Sequence, residues 1–293
     1  MASAKLDSLT ETADSIEVDG RPRSFISVAP VQLPARSPMM IVFHGSNQSG
    51  EIVRNFAGGV FDELASREDL VVVYPNAYKR LWNDARISSD FPARREGYDD
   101  VAFFRALVTH FVATSGVDAR RIYVVGYSNG AQMVNRLIHE VGDMLAGAAL
   151  ISATQPAPEN FVDGKRPVPL PVLLIHGTKD RLVPYEGGMA SFWGLRPRGL
   201  GLSHLKTAEY FAARNGISST PTMEGFGDPA DRTSIEVRNW SEPGKPPVRA
   251  YTVKGGGHVI PNPVKAAPFI YGRTAKSLDS ARRIWDFLSG GAQ

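Results

Sequence analysis

Arg121-Ile122-Tyr123-Val124-Val125-Gly126-Tyr127-Ser128-Asn129-Gly130 opens as a β-branched and aromatic run and closes on small and polar residues. Directly after it, Val134, Leu137, Ile138 and Val141 recur at helical spacing. The stretch therefore reads as strand, sharp turn, helix. A Gly-x-Ser-x-Gly pentapeptide is weak by itself, but strand–turn–helix is the setting that lifts a serine hydroxyl above the end of a sheet. Glycines two before and two after the serine let the backbone take a strained turn without side-chain clash. The helix N-terminus that follows favours developing negative charge. Ser128 is the candidate nucleophile, and a glycine-rich phosphate or structural turn is the alternative.

Outward from this stretch the same alternation recurs. Strands are expected at Arg23–Ala29 (on an edge), Met39–His44, Leu70–Tyr74, Ala146–Ser152, Pro171–Ile175, Thr233–Val237 and Val248–Val253. Helices are expected at Ile52–Ser66, Asp99–Val112 and Leu202–Ala213, with a last one carrying Leu278, Ala281, Ile284, Trp285 and Leu288 inward. Strands alternating with helices predict an α/β fold, a mostly parallel sheet with helices on both faces. Ligands of such sheets sit beyond the carboxyl ends of the strands, so chemistry is sought there.

The chain has 293 residues, 43% hydrophobic and 22% charged, enough to bury a core in a single domain spanning 1–293. Its formal net charge of +3 does not argue for a nucleic-acid partner. Without cysteine it has no disulfides, thiolate metal sites or cysteine nucleophile. No apolar run is long enough to span a membrane. The segment 1–20 is polar and lacks the apolar stretch of a signal peptide, which predicts a cytoplasmic protein if Met1 is the native start, and a secreted one if the chain has been trimmed. No His/Asp/Glu cluster has metal-ligand spacing and no glycine-rich stretch is followed by the lysine of a P-loop, so no metal or cofactor is expected.

A serine nucleophile needs a base, and His258 follows Gly255-Gly256-Gly257 at the end of a strand, where glycines can bring an imidazole over the sheet edge. His44 and His176 end buried strands and precede glycine, which suits loop orientation; His110, His139 and His204 fall in helical patterns. A carboxylate must hold the imidazole tautomer. Asp180, in His176-Gly177-Thr178-Lys179-Asp180, lies just past a strand and between Ser128 and His258 in the chain; Asp163 and Glu186 are rivals. Oxyanion donors are expected at the Asn129 amide and, in Phe43-His44-Gly45-Ser46-Asn47-Gln48, at the Ser46 amide. Trp82 follows the strand Leu70–Tyr74 and is placed as a substrate-binding residue, with a structural tryptophan as the alternative. Residues 187–201 are a flap over the site or a long connection.

Taken together, Val18-Asp19-Gly20-Arg21-Pro22-Arg23, Phe43-His44-Gly45 with Gln48, Tyr74-Pro75 leading to Trp82-Asn83, Asp99-Asp100-Val101, the Gly126–Gly130 turn, His176–Asp180 and Gly255–His258 run nearly the length of the chain. In that order they resemble the polyhydroxybutyrate depolymerase and feruloyl/acetylxylan esterase group of α/β-hydrolases. The resemblance implies a serine carboxylesterase with the triad Ser128, Asp180 and His258 and no metal or organic cofactor. It implies small-molecule or oligomeric substrates, namely short hydroxyacyl or aromatic acid esters. Members of the group often carry a tryptophan shortly after the histidine, where this chain has Val259-Ile260-Pro261. An acyltransferase or peptidase with the same triad, or a catalytically silent binding protein, would share these motifs.

Overall fold

A computed structural model describes residues 9–162, 168–192, 195–228 and 231–290. The strands are β1 (Leu9–Val18), β2 (Arg21–Pro30), β3 (Met39–Phe43), β4 (Val71–Pro75), β5 (Ile122–Tyr127), β6 (Gly147–Ile151), β7 (Val172–Gly177), β8 (Gly188–Phe192), β9 (Leu195–Gly201), β10 (Thr222–Phe226), β11 (Ser234–Trp240) and β12 (Val248–Lys254). The α-helices are α1 (Gly50–Phe56), α2 (Val60–Glu68), α3 (Pro92–Arg95), α4 (Asp100–Ser115), α5 (Asn129–Glu140), α6 (His204–Arg214) and α7 (Ser280–Gly290).

Ten strands form one sheet in the order β1-β2-β4-β3-β5-β6-β7-β12-β11-β10. The six central strands, β4 through β12, are parallel. Antiparallel pairs flank them on both sides. Alternate residues of β3 show why helices must cover both faces. Met39, Ile41 and Phe43 join one core with Phe104, Leu107, Val134, Leu137 and Phe211 of α4, α5 and α6. Met40 and Val42 join the other with Val53, Phe61, Leu64, Ile284 and Leu288 of α1, α2 and α7. This is the α/β-hydrolase architecture, and no helix among the described residues is long and apolar enough to cross a membrane.

Two local expectations are corrected. The single helix over Ile52–Ser66 is two, α1 and α2, because Gly58 and Gly59 sit at φ +73° and +75°, outside the right-handed helical region. A Cβ on Gly58 would also lie 2.9 Å from Asn262 Oδ1. The strand after the polar 1–20 segment is not an edge: β1 pairs with β2 over ten residues and takes the edge itself. Between them Asp19 and Gly20 both have positive φ, the geometry of a two-residue hairpin turn that matches strand twist. Within the stretch expected as a flap over the site or a long connection, residues 188–192 and 195–201 form an antiparallel β8–β9 ribbon, and Gly188, Ala190, Ser191, Arg198 and Leu200 line the pocket beside Ser128. The ribbon is tied down where Ala157 N donates to Leu200 O and Ser191 N donates to Leu182 O.

Candidate active site

β5 delivers Ser128 at its carboxyl end, and the backbone there pays a conformational cost, with Ser128 at φ 55° and ψ −116°. Two close approaches explain the flanking glycines. A Cβ on Gly126 would lie 2.3 Å from Gly130 O, and one on Gly130 would lie 2.1 Å from Phe43 O at the end of β3. Helix α5 starts at Asn129, immediately after the serine.

His258 comes from the turn after β12. Its amide donates to Tyr271 O (2.7 Å), and a Cβ on Gly257 would lie 2.1 Å from the same carbonyl oxygen. Tyr127 Oη donates to His258 O (2.8 Å), fixing the backbone from the other side. The imidazole Nε2 stands 2.9 Å from Ser128 Oγ and Nδ1 stands 2.7 Å from Asp180 Oδ2. Asp180 is carried by the turn after β7, and its Oδ1 accepts from the Leu182 and Val183 amides at 2.8 and 2.9 Å. Oδ2 also lies 3.1 Å from His176 Nε2. Burial pushes the Asp180 carboxyl up, but the charge and hydrogen bonds of His258 and His176 outweigh it and hold the group well below the usual carboxylate range. Of its rivals, Glu186 is exposed, and Asp163 lies outside the described residues.

The loop after β3 is braced from beneath by His44. Ala77 N donates to His44 Nε2 (3.0 Å), so the ring proton sits on Nδ1 and is donated to Gly45 O (2.7 Å). Gln48 Oε1 accepts from the Gly45 amide (3.0 Å). Ser46 and Asn129, the two expected oxyanion donors, both line the pocket beside Ser128.

Burial lowers the His44 pKa to about 4, with the hydrogen bond to Gly45 O opposing and the Arg80 charge assisting. In an unfolded chain the same ring titrates near about 6.5. Between those values only the unfolded chain binds the proton, so stability declines as pH falls from 6.5 towards 4. From His44 alone the loss reaches about 3 kcal/mol. The His204 pKa is lowered well below its ordinary value by burial, reinforced by the neighbouring His176, and adds to the same slope. Urea midpoints measured from pH 7 to pH 4.5 should therefore fall steadily, and a flat profile would contradict neutral burial of these rings.

Trp82 is corrected from a substrate platform to a core residue. It is 0% exposed and does not line the pocket. Its Nε1 donates to His44 O (2.9 Å), its amide donates to Asn129 Oδ1 (2.9 Å), and its ring packs edge-on to Phe43. The indole thus supports the loop after β3 from behind. Trp82→Ala should cost about 3–5 kcal/mol of stability and slow acetyl and feruloyl esters alike. A variant that melts normally and loses only ring-bearing substrates would restore the platform role.

The sequence reading missed Arg86, Gln132, Arg198 and Tyr271 in the pocket wall. Gln132 stands four residues after Ser128, one helical turn along, a spacing that could have flagged it. Arg86 and Arg198 lie in irregular or ribbon segments with no periodic signal. The Asn129 side chain was also missed: besides holding the Trp82 amide, its Nδ2 donates to Asp84 Oδ2 (2.6 Å).

A serine set on this turn, with His258 and Asp180 in hydrogen-bonded series, invites comparison with known enzymes. The phospholipase/carboxylesterase family matches residues 81–192. The chain belongs to the α/β-hydrolase esterases, and it is an esterase of the carboxylic ester hydrolase type. It is 30% identical over 294 residues to the "Putative esterase NocK" of Nocardia uniformis subsp. tsuyamanensis, covering 96% of this chain and 83% of that protein. Feruloyl esterase B of Piromyces equi is 32% identical over 55% of this chain and 29% of its own length. Poly(3-hydroxyalkanoate) depolymerase C of Paucimonas lemoignei is 24% identical over 89% and 64%. The acetyl xylan esterase from Aspergillus awamori superposes with a TM-score of 0.64 at 14% identity, over 96% of this chain and 99% of that one, a likeness of fold.

Proposed function

We propose that the protein hydrolyses short hydroxyacyl or aromatic acid esters through an acyl-enzyme on Ser128. The observation that carries this reading is the hydrogen-bonded series Ser128–His258–Asp180, at 2.9 and 2.7 Å, opening onto one pocket. His258 Nε2 takes the Ser128 proton, and the oxygen attacks the ester carbonyl to give a tetrahedral oxyanion held by the Ser46 and Asn129 amides. Collapse expels the alcohol, which leaves with the proton from His258. Water, deprotonated by the same nitrogen, then attacks the acyl-enzyme, and the acid departs as Ser128 regains its proton. Ionised Asp180 keeps the proton on Nδ1 throughout and stabilises the transient imidazolium.

The pocket holds about 130 Å³, close to the roughly 150 Å³ cavity that accommodates benzene. That supports a four-carbon acyl group or a single ring. The names of the feruloyl esterase and polyhydroxyalkanoate depolymerase relatives support the same two substrate classes. A fluorophosphonate should label the protein once, at Ser128, and hydrolysis of 4-nitrophenyl butyrate should stop in step with labelling. Labelling elsewhere, or turnover by fully labelled protein, would reject the mechanism.

A further inference from the structure

We propose that His176 is a positioning residue for the Ser128–His258–Asp180 series, fixing the direction of the Asp180 carboxylate and limiting the charge it presents to His258. The proposal rests on the triad reading above. Asp180 has four hydrogen-bond partners, two on each oxygen. The Leu182 and Val183 amides hold Oδ1 at 2.8 and 2.9 Å, while Oδ2 lies 2.7 Å from His258 Nδ1 and 3.1 Å from His176 Nε2. A carboxylate offers about four lone-pair positions, so this set fills it. Anchored by amides on one oxygen alone, the group could still swing the other away from His258. A donor reaching Oδ2 from a second side chain removes that freedom.

The donor is itself firmly placed. His176 lies within β7, opposite Thr252 of β12, and is 0% exposed. Nε2 also stands 3.0 Å from Val183 O, which only accepts, so the ring proton sits on Nε2 and is shared between that carbonyl and Asp180. Nδ1 has no hydrogen-bond partner among the described residues. The other titratable side chains against the ring are Tyr185 and His204, edge-on at 5.9 and 5.5 Å. Around those two rings act Glu186, Glu236 and Arg238, the last two paired with each other at 2.9 Å. The turns that carry Asp180 and His258 are joined without help from the His176 side chain. Lys179 N donates to Gly256 O (2.8 Å), and a Cβ on Gly177 would lie 2.4 Å from the same oxygen. A purely structural His176 would brace Val183 O and nothing more. A positioning His176 also draws on the Oδ2 charge that stabilises a protonated His258, so removing its donor should let His258 keep a proton to higher pH.

His176→Phe retains a ring of similar size without the donor, and His176→Gln returns an N–H near the place of Nε2. On 4-nitrophenyl butyrate, the pH at which kcat/KM reaches half its plateau should rise by about half a unit in His176→Phe. Its kcat should fall roughly tenfold with KM nearly unchanged, as expected of a displaced catalytic group. His176→Gln should restore most of both. Spectra of protein labelled with [15N]histidine follow the same titration at the His258 ring with no substrate present. Absent turnover would then speak against the hydrolase reading, while the spectra still decide the role of His176. In the wild-type protein they should also show the His176 proton on Nε2, a result independent of how well any variant folds. A midpoint that does not rise in His176→Phe, a rise that His176→Gln leaves in place, or a wild-type proton on Nδ1 would overturn the proposal.

Discussion

Ser128→Ala should lower kcat by about 10⁴ to 10⁶ while leaving substrate affinity and the circular dichroism spectrum near wild type. In the proposed mechanism the hydroxyl oxygen forms the new covalent bond, so nothing nearby substitutes for it. What remains would come from the pocket and the oxyanion amides alone. Adding His258→Ala to Ser128→Ala should cost little more, because a base without its nucleophile has nothing to deprotonate. Full activity in the serine variant, measured on 4-nitrophenyl butyrate, would end the mechanism.

Asp180→Asn should lower kcat by about 10⁴, for a reason visible in the hydrogen bonds. Oδ1 of Asp180 accepts from the Leu182 and Val183 amides, so an asparagine would keep its carbonyl oxygen there. Its NH2 group would then face His258 Nδ1 and His176 Nε2. His176 Nε2 also lies 3.0 Å from Val183 O, which can only accept, so that nitrogen already carries a proton and two donors would oppose. At His258 the amide would force Nδ1 to accept, moving the proton to Nε2, where it blocks uptake of the Ser128 proton. The variant should also melt below wild type, since the opposed donors are buried. Wild-type rates in Asp180→Asn would move the acid to Glu186 or Asp163.

The parallel core and the strained turn at Ser128 were legible because their causes are local. Apolar runs such as Leu70–Tyr74 can only be central strands in a sheet covered on both faces, and the Gly126–Gly130 spacing encodes its own geometry. The edges were not. β1 is mostly exposed and polar, and β10 is exposed over four of its five residues, so neither shows the alternation that marks a half-buried strand. The split between α1 and α2 was written in Gly58-Gly59 and read through, since apolar spacing continued on either side. Trp82 failed for a different reason. Its place after a strand correctly put it at the carboxyl edge, yet whether an indole faces a pocket or a core depends on what packs over it, here Phe43 and His44. The Arg86–Asp84–Asn129 series joins residues up to 45 positions apart, which no local pattern records.

Ser128, Asp180 and His258 follow β5, β7 and β12, and 130 residues separate the partners in the Ser128–His258 hydrogen bond. β12 pairs with β7 across a long excursion of chain through β8 to β11. Closing such distant contacts is slow compared with forming local helices and hairpins. Ester cleavage is therefore expected to return late in refolding, with these distant contacts. A chain refolding from denaturant would regain its helical signal first and its catalytic rate last, and the delay between the two would measure how long β12 takes to dock.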